Sequence, residues 1–236
     1  MKNSFSLDNY DLLLFDLDGT LVDSAPDIAA AVDATLRAQG WPAAGVERVR
    51  SWVGNGSRKL IERALVFAVQ DFDTSLHETI HSQFLLEYAR HNGPETRVFD
   101  GVYEYLDYCL AAGKKMACVT NKPEHLAKQL VTHLDMDKYF SIVIGGDTFP
   151  QRKPDPTALL HCCKTLGVPN ARTLMIGDSE TDVSSARAAN MEVLCVSYGY
   201  NHGGSIANSR PDYLTGNLAD TIKKLKPDYL HKNQDE

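Results

Sequence analysis

The chain has 236 residues, 43% of them hydrophobic, enough for one large domain or for a core carrying a smaller insert. Its formal net charge of -7 supplies no global positive field, which excludes nucleic acid and acidic membrane surfaces as partners; an anionic ligand would need locally placed cations or a metal. Five cysteines without a C-x-x-C pair fit a reducing cytosol better than a disulfide framework, and no run approaches the roughly 18 apolar residues of a membrane span.

The N-terminus lacks a secretory pattern, since Asp8 and Asp11 precede an apolar run, Leu12–Phe15, that is too short for a signal sequence. A soluble cytoplasmic protein is expected. Leu12–Phe15 reads as the first buried strand, because it is uniformly hydrophobic and ends in acidic residues. From about Leu21 to Glu95 the pattern turns helical, with no intervening strand. Candidate helices are Asp27–Gln39, closed by Gly40, then Arg58–Val69 and Ser75–Arg90, with Asn92-Gly93-Pro94 as the turn back. An all-helical insert over residues 21–94, in a core made of 1–20 and 95–236, follows from this, with hinges near Ser24 and Asn92-Gly93-Pro94.

After the insert, strands and helices alternate. The spacing predicts a helix over Val102–Ala112 ending at Gly113, a strand over Met116–Val119, a helix over Glu124–His133 entered through Pro123, and a strand over Ile142–Ile144. A helix over Pro156–Leu166 ending at Gly167 and strands over Thr173–Ile176 and Val193–Val196 complete the series. Tyr103, Tyr105 and Tyr108 share one helical segment and read as core and rim packing. The polar tail after Lys224 is expected to fray, with Tyr229 and Leu230 available to dock. The fold class is therefore α/β: a Rossmann-like parallel sheet core with helices on both faces and an inserted all-helical cap domain.

In open parallel sheets, reactive groups collect outside the carboxyl ends of the strands. The polar residues following the apolar runs are Asp16, Asp18, Gly19 and Thr20, then Thr120 and Asn121, then Lys153, then Gly177, Asp178, Ser179 and Asp182. Phosphate-ester cleavage needs a nucleophile, compensation for phosphate charge and an acid for the leaving alkoxide. Asp16 can attack phosphorus to give an aspartyl phosphate. Two anions repel, so a divalent cation must bridge them, and oxygen ligands suit Mg²⁺, held by Asp16 and Asp178 with the Asp18 backbone carbonyl. The Asp18 carboxyl, two residues on, can serve as general acid and then as base for water. Thr120 and Asn121 can donate to phosphoryl oxygens beside a helix N-terminus, and Lys153 adds a compact positive charge. Each residue alone has a plainer reading, as turn, helix cap or solvated cation. Their ordered joint occurrence favours the site.

These four segments, in this order, resemble the motifs of the haloacid dehalogenase superfamily in its phosphatase branch, over nearly the whole chain. The resemblance implies Asp16 as nucleophile, Asp18 as acid and base, Thr120 and Lys153 as phosphate-handling groups, Asp178 as metal ligand and Asp182 as its support. It also implies a cap, inserted after Thr20, that closes over the site. Asp18 argues against dehalogenation, because true dehalogenases lack that second aspartate. Thr20-Leu21-Val22-Asp23-Ser24, Val53-Gly54-Asn55-Gly56 and Tyr198-Gly199-Tyr200-Asn201-His202-Gly203 resemble the phosphoglycolate phosphatases more closely. A small phosphorylated metabolite is the expected partner, and the chain is expected to act as monomer or homodimer. Asn55, Arg58, Lys59 and the backbone of Gly54–Gly56 are candidates for a substrate carboxylate, with His202 read as a surface loop residue. Other readings are a sugar phosphatase, a pyrophosphatase, a β-phosphoglucomutase-like phosphotransferase, or a phospho-accepting receiver domain. The insert and the length argue against the receiver.

Overall fold

A computed structural model of the chain describes residues 5–223. The first strand, β1 (Leu12–Phe15), is buried along its whole length, because Leu12 and Leu14 face one layer of helices while Leu13 and Phe15 face the other. A two-residue strand, β2 (Val22–Asp23), leads into four helices: α1 (Ala25–Ala38), α2 (Val46–Arg50), α3 (Ser57–Val69) and α4 (Thr74–Arg90). Pro26 suits the first turn of α1, which therefore starts two residues before Asp27. Asp73 caps α4 by accepting from the Leu76 N–H at 2.8 Å. The chain returns through β3 (Arg97–Val98), which pairs antiparallel with β2.

The rest alternates as α5 (Val102–Ala111), β4 (Lys115–Val119), α6 (Glu124–His133), β5 (Ile142–Ile144), α7 (Thr157–Leu166), β6 (Thr173–Gly177), α8 (Glu180–Ala188), β7 (Glu192–Val196), β8 (Tyr213–Thr215) and α9 (Ala219–Lys223). Six strands form one parallel sheet in the order β5-β4-β1-β6-β7-β8. From β1 the chain first builds outward through β4 and β5, then crosses to β6 and builds the other way. β1 and β6 therefore border a topological switch point, where an open sheet leaves a crevice.

Three differences from the sequence expectation have physical causes. β2 lies within the interval read as wholly helical, because two residues carry no period to detect. α2 is a single turn with one buried residue, Val49. β8 is a three-residue edge strand following Pro211, again too short to show a pattern. The tail beyond Lys224, with Tyr229 and Leu230, lies outside the described residues. No helix among those described is long and apolar enough to cross a membrane.

The helices α1, α3 and α4 bury their own apolar cluster, around Val32, Leu36, Leu65 and Phe84, and this cluster takes in Leu126 of α6 and Tyr200. The insert thus has an independent core and is also seated on the sheet domain. Two polar clips fix it there. The Asp27 carboxylate on α1 accepts from the N–H groups of Gly93, Glu95 and Thr96 and from the Thr96 hydroxyl, at 2.6–3.0 Å, tying the two linkers together. The Tyr200 hydroxyl accepts from the Ser24 and Ala25 N–H groups and donates to Asp23 at 2.7 Å.

Candidate active site

Asp16 follows β1 and is buried; its N–H bonds the Ile176 carbonyl of β6, so the sheet itself sets its backbone. Its Oδ1 accepts from the Leu17 N–H at 2.7 Å and lies 3.0 Å from the Lys153 ammonium. Asp178 follows β6. Its two carboxylate oxygens accept from the Thr20 hydroxyl at 2.9 Å and the Tyr200 N–H at 2.7 Å. Two glycines make room for it: a Cβ on Gly19 would sit 2.4 Å from Asp178 Oδ2, and one on Gly199 would sit 2.1 Å from its Cβ. Gly19 also has φ of +90°, a conformation other residues rarely adopt.

Asp182 accepts from Lys153 at 2.7 Å through one oxygen, and from the Ser179 hydroxyl and the Ser179 and Asp178 N–H groups through the other. It closes a capping box at the start of α8 while aiming Lys153 at Asp16. Thr120, at the end of β4, is buried, and its hydroxyl oxygen accepts the Lys122 N–H at 3.2 Å. The Asp18 Oδ1 accepts from the Ser24 hydroxyl at 2.5 Å and from the Lys122 ammonium at 3.3 Å.

Burial is the main force raising the Asp16 and Asp178 carboxyls above the ordinary carboxylate range, and their acidic neighbours add to it. Burial works against the Lys153 ammonium, but Asp16 and Asp182 more than offset that and hold it charged. One oxygen from each of Asp16, Asp178 and Asp182 falls within 4.8 Å of the others. Among three buried carboxylates a single ammonium leaves negative charge in excess, and an all-oxygen donor set fits a hard divalent cation such as Mg²⁺. Asp182 gives one oxygen to Lys153 and the other to three donors, whereas each Asp178 oxygen accepts a single hydrogen bond and Asp16 engages only Oδ1, so Asp16 and Asp178 keep the lone pairs a cation needs.

Asp16, Asp18, Thr120, Asn121 and Lys122 form one side of a small cavity of about 40 Å³ beneath the helical insert. The opposite side is apolar, from Ile28, Val53, Leu60, Phe84 and Tyr88, with Gly54, Gly56 and Ser57 at its edge. The insert is held against the sheet domain by Asn121 Nδ2 donating to the Gly54 carbonyl at 2.9 Å and Asn55 Nδ2 donating to the Thr181 hydroxyl at 3.2 Å. A family model for haloacid dehalogenase-like hydrolases matches residues 13–196, spanning both the acidic rim and the insert. The chain belongs to that family.

This hydrolase is similar to proteins named phosphoglycolate phosphatase: 42% identical over 216 residues to one from Nitrosococcus oceani, covering 91% of this chain and 96% of that protein. Against phosphoglycolate phosphatase 1 of Pseudomonas aeruginosa it is 43% identical, covering 89% of this chain and 78% of that one. Among solved structures, a predicted phosphoglycolate phosphatase from Haemophilus somnus superposes with a TM-score of 0.87 at 32% identity, over 92% of this chain and 99% of that chain.

In the hydrolase, Asp16, Asp18, Thr120 and Asn121 all reach the cavity, Lys153 contacts Asp16, and Asp178 and Asp182 stand beside it. Asn121 has a different part from the one expected of its amide. Both Nδ2 protons are spent, on the Gly54 and Lys153 carbonyls, so only its backbone N–H remains to offer a phosphoryl oxygen. Arg58 and Lys59 pair with Glu78 and Glu62 at the solvent face and stay clear of the cavity. His202 is half-buried, its ring nitrogen 3.1 Å from the Ser51 carbonyl of the insert, because the late loop packs on the cap; it is neither a ligand nor a free surface residue.

Sequence reasoning passed over Lys122, Ser57 and Asp27, and took Tyr200 only as part of a resembling late loop. The strand-end rule that selected Thr120 and Asn121 needed only one more residue to include Lys122. The other three are joined to their partners only by folding.

Proposed function

We propose that this hydrolase is a Mg²⁺-dependent phosphomonoesterase that turns over through an aspartyl phosphate on Asp16, with 2-phosphoglycolate as substrate. The carrying observation is a buried Asp16 in contact with Lys153, with Asp18 and Thr120 opening into the same cavity and Asp178 behind. Mg²⁺, held by Asp16 and Asp178 with the Asp18 backbone carbonyl, would neutralise charge shared by nucleophile and phosphate.

The Asp16 carboxylate oxygen attacks phosphorus as the ester P–O bond breaks, and the Asp18 carboxyl gives its proton to the departing alkoxide oxygen. Thr120 and the Asn121 N–H orient the phosphoryl oxygens, while Lys153 balances their charge. In the second half, the Asp18 carboxylate takes a proton from a water that attacks phosphorus. The bond to Asp16 breaks, inorganic phosphate leaves and both carboxyls are restored. Residues 21–94 act as a cap that opens for exchange and closes to exclude bulk water.

The names of the relatives favour a two-carbon phosphate ester, and the small cavity agrees. Purified protein with Mg²⁺ should release phosphate from 2-phosphoglycolate in preference to sugar phosphates, pyrophosphate and aryl phosphates, and a chelator should stop it. No release from any of them would reject the phosphatase. Preference for a sugar phosphate would keep the mechanism and replace the substrate.

A further inference from the structure

The site holds two buried ammonium groups, and the mechanism above uses only one. Lys153 is matched twice, at 3.0 Å by Asp16 and at 2.7 Å by Asp182. Lys122 is matched once, by Asp18 at the longer distance of 3.3 Å. Its side chain is 1% exposed, and it lines the same cavity as Asp16, Asp18 and Thr120. One further proton goes to the Tyr88 hydroxyl, and the ammonium lies 4.3 Å from the centre of that ring. An ammonium carries three protons, so among the described residues one is left uncommitted.

A cation so placed has two consequences. On the cap side the cavity wall is Ile28, Leu60, Phe84 and Tyr88, which bear no charge, and the cap acid that acts on Lys122, Asp27, has its carboxylate engaged by the returning linker. An anionic group of a bound molecule, in contrast, would meet a desolvated, charge-assisted donor. Because Lys122 belongs to the sheet domain and Tyr88 to α4, that donor also takes its final surroundings only when the cap is seated.

We propose that Lys122 selects the substrate, binding a carboxylate attached by a short linker to the phosphate ester. This rests on the phosphatase reading and deepens it. The recognition charge comes from the sheet domain, one residue beyond the Asn121 that clips the cap, and the cap contributes an apolar wall and the Tyr88 ring that orients it. Asp16 and Lys122 line one small cavity, so a phosphate at the first and a carboxylate at the second belong to a small molecule.

The test compares 2-phosphoglycolate with 2-hydroxyethyl phosphate, which has the same length and an uncharged head. Wild-type enzyme should prefer the carboxylate, and Lys122→Met should narrow that preference in kcat/KM by about 10- to 100-fold, mostly through KM. Circular dichroism and Tm establish that the variant folds. Loss by the same factor on both esters would overturn the proposal, since Lys122 would then serve Asp18 or the fold. Should the variant not fold, the wild-type comparison still decides: no preference for the carboxylate sinks Lys122 as a selector while leaving the phosphatase standing. Release of phosphate from neither ester would bring down the phosphatase reading, and this one with it.

Discussion

The floor, made of the cavity's sheet-domain side and the groups packed directly beside it, carries four carboxylates, three of them buried, and two buried ammonium groups, whereas the roof over the cavity is made of Ile28, Val53, Leu60, Phe84 and the ring of Tyr88. On the floor, each buried carboxylate is held by two or more partners: Asp16 by the Leu17 N–H and Lys153, Asp182 by Lys153, Ser179 and the Asp178 N–H, and Asp178 by Thr20 and Tyr200. The roof is held by a few contacts at its edges. Preorganised charge is what phosphoryl transfer requires, and it must not move as reaction proceeds. Admission of a small molecule requires the reverse, a surface that can lift. On the proposed function the two demands fall to separate parts of the chain, one built from a parallel sheet and the other from an insert between β1 and β4.

The sharpest way to break this division is Asp16→Asn. It should lower kcat by at least about 10⁴-fold while leaving Tm unchanged or higher in metal-free buffer, because it removes one of several crowded buried carboxylates. Retained turnover would remove Asp16 from the nucleophile role. Lys153→Met comes next. It should cost roughly 10²- to 10³-fold in kcat/KM, and it should also destabilise the fold, since Asp16 and Asp182 lose their shared cation. Loss of activity without loss of stability would show that the ammonium serves the phosphate alone.

Between floor and roof stands Asp27, whose carboxylate takes four hydrogen bonds from the returning linker. Asp27→Asn puts an amide group among those donors and should cost about 3 kcal/mol. Faster proteolysis near Gly93 would place the weakness in the linker. A chain as stable and as resistant as wild type would show that β2 and β3 hold the cap unaided.

The floor was legible in the sequence because strands announce themselves as unbroken apolar runs, and the rule that chemistry gathers at their carboxyl ends then names Asp16, Thr120 and Asp178 directly. The roof was legible only as helices. Which helical face turns inward depends on how α1, α3 and α4 pack on one another, and Arg58 and Lys59, which looked suited to an anion, found Glu78 and Glu62 instead. Asp27 could not be read at all. Its partners lie more than 60 residues further along, and a buried acid at the start of a helix looks in sequence like an ordinary first-turn charge.

The smallest expected effect belongs to the roof and concerns pH. His81, on α4, is buried in the cap with its Nε2 2.9 Å from the Ser57 hydroxyl and its ring stacked on His77. Burial, followed by the positive neighbours Arg58 and His77, lowers its pKa from 6.5 to about 4. As pH falls below about 6.5 the unfolded chain takes up the proton first, while the folded cap holds the ring neutral. The stability that His81 contributes is therefore complete above about pH 6.5 and is lost progressively down to about pH 4. Tm measured across that window should fall less steeply in His81→Gln than in wild type, and the two curves should run parallel above pH 7. Parallel curves throughout would show that His81 does not report on cap packing. A shallower curve would locate an acid-sensitive element in the roof, where only packing and a Ser57 hydroxyl hold the ring, and not among the carboxylates of the floor.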